Sequence, residues 1–204
     1  MKPLREPLRA KTSVAGTAAV GAAAAAALAA ARSSAAEPSK PVADVLDQLP
    51  ADDYETAGKL CTALLDGGPV VVTELVNLVG DEFGDPGGVK PKYALHGLVH
   101  YASRPGVEKA RAMLAETLAA ELAAEHSDEL KAFIVRQLQL CGRTQEIAAL
   151  AKLLASDRLC NPATQALVAI GGPSALKALR DALPTAEGPR QVAISQAVEL
   201  LSRK

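Results

Sequence analysis

The sequence predicts an all-α fold, an α-α superhelix of about four helix pairs with a C-terminal capping helix. Three observations predict it. No stretch beyond residue 36 sustains the alternation and the β-branched and aromatic enrichment of strands. Apolar residues instead recur at helical spacing, punctuated by Pro and Gly. Residues 137–154 then recur as residues 166–183, and a repeat built from two helices means a stacked array.

The first 36 residues read as an address rather than as fold. Lys2, Arg5, Arg9 and Lys11 precede an uncharged run, residues 13–31, that holds twelve Ala and only Val14, Val20 and Leu28 as stronger apolar residues. Arg32 closes the run, and Ser34-Ala35-Ala36 supplies the small residues of a signal-peptidase site, with cleavage expected after Ala36. Three such residues contribute roughly −1 to −2 kcal/mol of insertion energy, marginal for a permanent anchor and adequate for a signal. An uncleaved anchor and an organelle transit peptide are the rival readings. The lipoprotein route lacks a nearby Cys, the first being Cys61, and the basic region has no adjacent Arg pair. The expectation is an exported chain, periplasmic or secreted, with no stable membrane insertion once the signal is removed.

Composition excludes other classes. The chain of 204 residues has 22 Lys+Arg against 23 Asp+Glu. Loss of residues 1–36 removes five basic residues and one acid, leaving 17 basic and 22 acidic. That balance offers no basic footprint for nucleic acid. With two Phe, three Tyr and no Trp, the chain also lacks stacking surfaces for single strands.

Residues 37–51, with Pro38, Pro41 and Pro50, read as a linker or a short N-terminal cap. Helices are expected over about 52–66, 69–80, 91–103, 105–124, 128–141, 144–155, 161–170, 173–183 and 189–202. Pro69, Pro91, Pro105, Pro162, Pro173 and Pro189 each stand at a helix start, where the missing N–H would have no partner. Ser127 and Asn161 are expected caps. Connections of two to five residues make neighbours antiparallel. The one long connection is 81–90. The last helix should turn Val192, Ile194, Ala197, Val198 and Leu201 inward. Charged residues such as Glu108, Lys109, Arg111, Glu116, Glu121 and Glu125 should form a solvated face. Of the three thiols, Cys61 and Cys141 fall at core positions, Cys160 is the more exposed, and a Cys141–Cys160 bridge is an open alternative.

The repeat is specific at the residue level. At an offset of 29, Leu138 matches Leu167, Gly142 matches Gly171, Ile147 matches Leu176, Leu150 matches Leu179 and Leu154 matches Leu183. Gly67-Gly68-Pro69 recurs as Gly171-Gly172-Pro173, each step ending one helix and starting the next. On these residues the chain resembles the HEAT-repeat family, of the short Ala-rich kind found in exported bacterial proteins. The resemblance covers residues 52–202 of a domain read as 52–204, is strongest over 128–183, and implies a HEAT/armadillo-like solenoid that binds another protein. Tetratricopeptide repeats are the nearest rival, and their Trp-Leu-Gly-Tyr pattern is absent.

Catalytic motifs are thin. There is no Gly-x-Ser-x-Gly, no phosphate-cradling Gly-rich loop and no His-Glu-x-x-His. The deoxyhypusine hydroxylases, HEAT-like enzymes, bind iron through repeated His-Glu pairs. Here the three His precede Gly97, Tyr101 and Ser127. No enzyme activity, cofactor or catalytic residue is expected. One constellation stands out: Asp81, Glu82, Phe83 and Asp85 in the long connection, then Tyr93, His96 and His100 on the following helix. Three of the five aromatics lie within residues 83–101. On a helical wheel Leu95, Leu98, Val99 and Ala102 face the core, while Tyr93, His96 and His100 face away. These residues are the expected partner-binding surface, for a protein partner. The alternative is a metal-binding module on the His96/His100 pair, since two His one turn apart can share a divalent ion, or an accessory subunit of an exported enzyme.

Overall fold

The structure, a computed structural model, describes residues 37–80 and 86–203; the signal-peptide reading of residues 1–36 lies outside the described residues. Among the described residues there are ten α-helices, four short 3-10 turns and no strand. The helices are α1 (Lys40–Asp47), α2 (Tyr54–Asp66), α3 (Gly68–Val79), α4 (Val89–Ala102), α5 (Glu108–Glu121), α6 (Asp128–Cys141), α7 (Ile147–Lys152), α8 (Cys160–Ile170), α9 (Gly172–Ala182) and α10 (Gly188–Ser202).

Segment 37–51 is more than a linker. Pro41 in the first turn starts α1, which buries Val42, Val45 and Leu46 against α2 and α4. Three apolar residues at helical spacing, each worth about 1.5–3 kcal/mol on full burial, hold this short helix to the core. Elsewhere the helices follow the expected order, with the span 144–155 divided into a 3-10 turn, α7 and a second 3-10 turn.

Packing follows a regular alternation. Each of α2, α4, α6 and α8 packs against the next but one in sequence, ending at α10, and α3, α5, α7 and α9 do the same among themselves. Sequential neighbours from α2 to α6 and from α7 to α10 pack across the two sets. One continuous core runs between them, filled by Leu, Val, Ile and Ala such as Leu75, Leu98, Leu118, Leu138, Leu167 and Leu179. Small Ala side chains let the helices approach, and Ala102, Ala115, Ala163, Ala166 and Ala175 are fully buried.

The junctions show how the chain reverses. Gly68, Gly171 and Gly172 have φ of 66°, 70° and 78°, the left-handed region where a side chain would strain the backbone. Gly67 keeps a right-handed φ of −72°. Gly142, the repeat partner of Gly171, is extended with φ −61° and ψ 155°, and is small for another reason. A Cβ there would stand 2.4 Å from the Leu138 carbonyl oxygen. The two equivalent turns therefore use glycine differently.

Several expectations are corrected. Pro105 lies ahead of α5 rather than in its first turn, because the helix begins only at Glu108. Asn161 falls inside α8, and the Ser156 hydroxyl instead accepts from the Leu159 N–H at 3.2 Å. Ser127 caps α6 as expected, accepting from the Leu130 N–H at 3.2 Å. Val192 is 57% exposed, since α10 turns only Ile194, Ala197 and Leu201 fully inward. Cys160 is buried and Cys61 is the half-exposed thiol; all three cysteines are free, so Cys141 and Cys160 are not bridged. No single helix among the described residues is long and apolar enough to cross a membrane. The bent pair α2–α3 passes that test only by length and composition, and turns by 108° at its break.

Candidate functional site

α4 positions the face that the sequence singled out. Leu95, Leu98, Val99 and Ala102 are fully buried, and Tyr93, His96 and His100 are exposed on the opposite side. Val89 joins them. Positions 89, 93, 96 and 100 are spaced by four, three and four residues, so they form one stripe along the helix. Val89 is 61% and Tyr93 56% exposed. Asp81, Glu82, Phe83 and Asp85 lie outside the described residues.

The neighbouring helix α6 braces the stripe. Gln137, which is buried, places its Oε1 3.0 Å from His96 Nδ1 and donates from Nε2 to the Phe133 carbonyl at 3.4 Å. His100 Nε2 stands 3.1 Å from His96 Nε2, and the two rings meet edge to face with centroids 4.5 Å apart. Ser103 donates to its own helix at the Val99 carbonyl, 2.8 Å away. Leu140, one turn on from Gln137, is 40% exposed and adds an apolar residue on the adjoining helix.

Tyr101 belongs to a different contact. Its hydroxyl is 2.9 Å from Thr62 Oγ1 on α2, and the Arg104 guanidinium lies 3.7 Å over its ring. The ring also abuts Gly58 at 3.6 Å from an added Cβ. This cluster ties α4 to α2 and is not part of the exposed stripe.

A second polar cluster was not legible as one. Glu121, expected on a solvated face, is fully buried. Its Oε1 accepts from the Thr73 hydroxyl at 2.9 Å, and its Oε2 lies 2.9 Å from His126 Nε2. The signal was present in the spacing: residue 121 follows Leu114 by seven and Leu118 by three, on the core stripe of α5. Arg111 was likewise drawn inward. Its Nε and Nη2 donate to the Cys141 and Gly142 carbonyls at 2.8 and 3.1 Å, satisfying the end of α6.

Several basic residues of the second half are engaged by the chain itself. Arg143 pairs with buried Glu146 at 3.0 Å, and Arg158 with Glu129 and Asp128. Lys177 pairs with Asp181, and Arg180 donates to the Ser202 hydroxyl at 3.2 Å. Among the described residues no group of three or more His, Cys, Asp or Glu is placed to hold a metal ion. Burial pushes the Cys141 thiol up to about 12 and raises Cys61 and Cys160 as well, against the character of a nucleophilic cysteine.

The chain matches no protein-family model, and no curated protein matches it.

Proposed function

We propose that the protein is an exported, non-enzymatic HEAT-repeat scaffold that binds another protein. The observation that carries this reading is the exposed stripe of Val89, Tyr93, His96 and His100 on a helix whose opposite face is wholly buried. Large apolar and aromatic side chains held in a row on a rigid helix favour an interface, because their desolvation is gained only on contact. The alternating two-set packing supports the solenoid reading, since stacked helix pairs contact their neighbours in this way. Export rests on the charge and Ala pattern of residues 1–36.

The experiment compares two full-length chains, wild type and V89S/Y93S, in a cross-linked capture from the exported protein fraction. A partner held saturably by wild type and lost from the variant supports the reading. Equal capture by both chains overturns this surface. Amino-terminal sequencing of the mature protein tests export: a chain that starts at Glu37 supports it, and one that starts at Met1 overturns cleavage.

A further inference from the structure

Gln137 has a buried amide with two neighbours, the Phe133 carbonyl and the His96 ring. Turning that amide over would set its oxygen against the Phe133 carbonyl oxygen, acceptor against acceptor. In the orientation that satisfies both contacts, Oε1 faces His96 Nδ1 at 3.0 Å and can only accept. His96 Nδ1 therefore carries a proton. A neutral imidazole holds one proton, so His96 Nε2 is left as a lone pair on the exposed side of α4.

That lone pair lies within hydrogen-bond reach of His100. The two Nε2 atoms are 3.1 Å apart, one helical turn along the same face. Metal–imidazole bonds of about 2.0–2.1 Å, at angles between square and tetrahedral, set two ligand nitrogens about 2.9–3.4 Å apart. The pair already has the spacing of two ligands on one ion. In the hydrogen bond between the two rings His100 Nε2 is the donor. Because both side chains are exposed, its proton exchanges through water from Nε2 to Nδ1, and a small turn of the ring then brings the freed Nε2 lone pair onto the shared ion.

We propose that His96 and His100 form a two-imidazole site for a late first-row divalent cation, Cu2+ in preference to Zn2+, with Gln137 as the positioning residue. The preference follows from the rise in affinity of nitrogen donors toward copper. On binding, the His96–His100 hydrogen bond is replaced by two metal–nitrogen bonds, and the neutral His100 ring carries its proton on Nδ1. The remaining coordination positions are open to water. The site does not depend on the chain having a protein partner.

The test is a calorimetric titration of the full chain with CuCl2 and with ZnCl2 in a non-coordinating buffer, together with electron paramagnetic resonance of the copper form. The expected result is one ion per chain, copper bound more tightly than zinc, and hyperfine structure from nitrogen ligands. H96A and H100A should each weaken copper binding at least about tenfold, and Q137L should weaken it about 10- to 100-fold with both ligands retained. Both His are exposed, so their variants keep the test valid if a thermal melt shows that Q137L does not fold. Copper binding unchanged in H96A/H100A, or saturation well below one ion per chain in wild type, overturns the proposal. Binding that is lost with the two His but unaffected by a folded Q137L overturns the role of Gln137.

Discussion

His126 Nε2 stands 2.9 Å from Glu121 Oε2, although the carboxylate is wholly removed from solvent and the imidazole nearly so. The other oxygen of Glu121 is held by Thr73 on α3, so one carboxylate joins α3, the end of α5 and the connection into α6. A buried carboxylate is tolerated only where hydrogen bonds replace its water shell.

That arrangement predicts the response to substitution. Glu121→Ala leaves Thr73 and His126 buried opposite an empty space and should cost about 3 kcal/mol. Glu121→Gln keeps an acceptor for the Thr73 hydroxyl and should cost clearly less. Urea unfolding of the two variants checks the ranking, and a loss below about 1 kcal/mol for the Ala variant would mean that the cluster does not hold the helices together.

Thiol reactivity should follow burial rather than position along the chain. Cys61 is half-exposed, whereas Cys141 and Cys160 are buried and Cys141 is pushed up to about 12. A soluble maleimide at neutral pH should label Cys61 first in the folded protein and all three in urea, as read by mass spectrometry of tryptic peptides.

The start of α2 carries a pH dependence of known sign. The Thr56 backbone N–H, bonded to Asp53 at 2.7 Å, holds the Asp53 carboxyl below its ordinary value. A depressed carboxyl stabilises the fold above its unfolded pKa, and that contribution disappears as pH falls through the folded value. The urea midpoint of wild type should exceed that of Asp53→Asn at neutral pH. The gap should close on acidification, and a gap independent of pH would contradict the capping role.

Ser127 offers a simpler cap. Its hydroxyl satisfies the Leu130 N–H at the start of α6, and Ser127→Ala should cost about 1 kcal/mol. Ser127→Asp, which restores an acceptor and complements the helix dipole, should recover most of the loss. Thermal melts of the two variants read the difference.

Leu98 tests the core behind the exposed stripe. It is fully buried on α4, directly behind the face that bears His96 and His100. Leu98→Ala should destabilise by about 2–5 kcal/mol through a cavity that neighbouring helices cannot close. Hydrogen exchange should then show α4 opening earlier than in wild type.

Local order in the sequence was enough for helix type, approximate helix limits and the burial of α4. Periodicity of Leu95, Leu98, Val99 and Ala102 assigns one face to the core and leaves His96 and His100 outside, and the structure agrees. The offset of 29 residues pairs fully buried positions at Leu138 with Leu167 and Leu150 with Leu179, whereas Ile147 and Leu154 are buried and their counterparts Leu176 and Leu183 only partly so. Signals of this kind arise within a turn or two of one helix, from spacing and side-chain chemistry alone.

Spacing and side-chain chemistry along the chain thus specify helices, the turns that divide them and the face on which the His pair stands. Which polar groups meet is set by how the helices pack. Gln137 reaches His96 across 41 residues, Thr73 reaches Glu121 across 48, and Arg111 finds the end of α6 through carbonyls 30 and 31 residues away. The physical reason is that a buried polar group takes whatever partner the packing of separate helices brings within hydrogen-bond reach, and that proximity is a property of the packed core rather than of spacing along the chain.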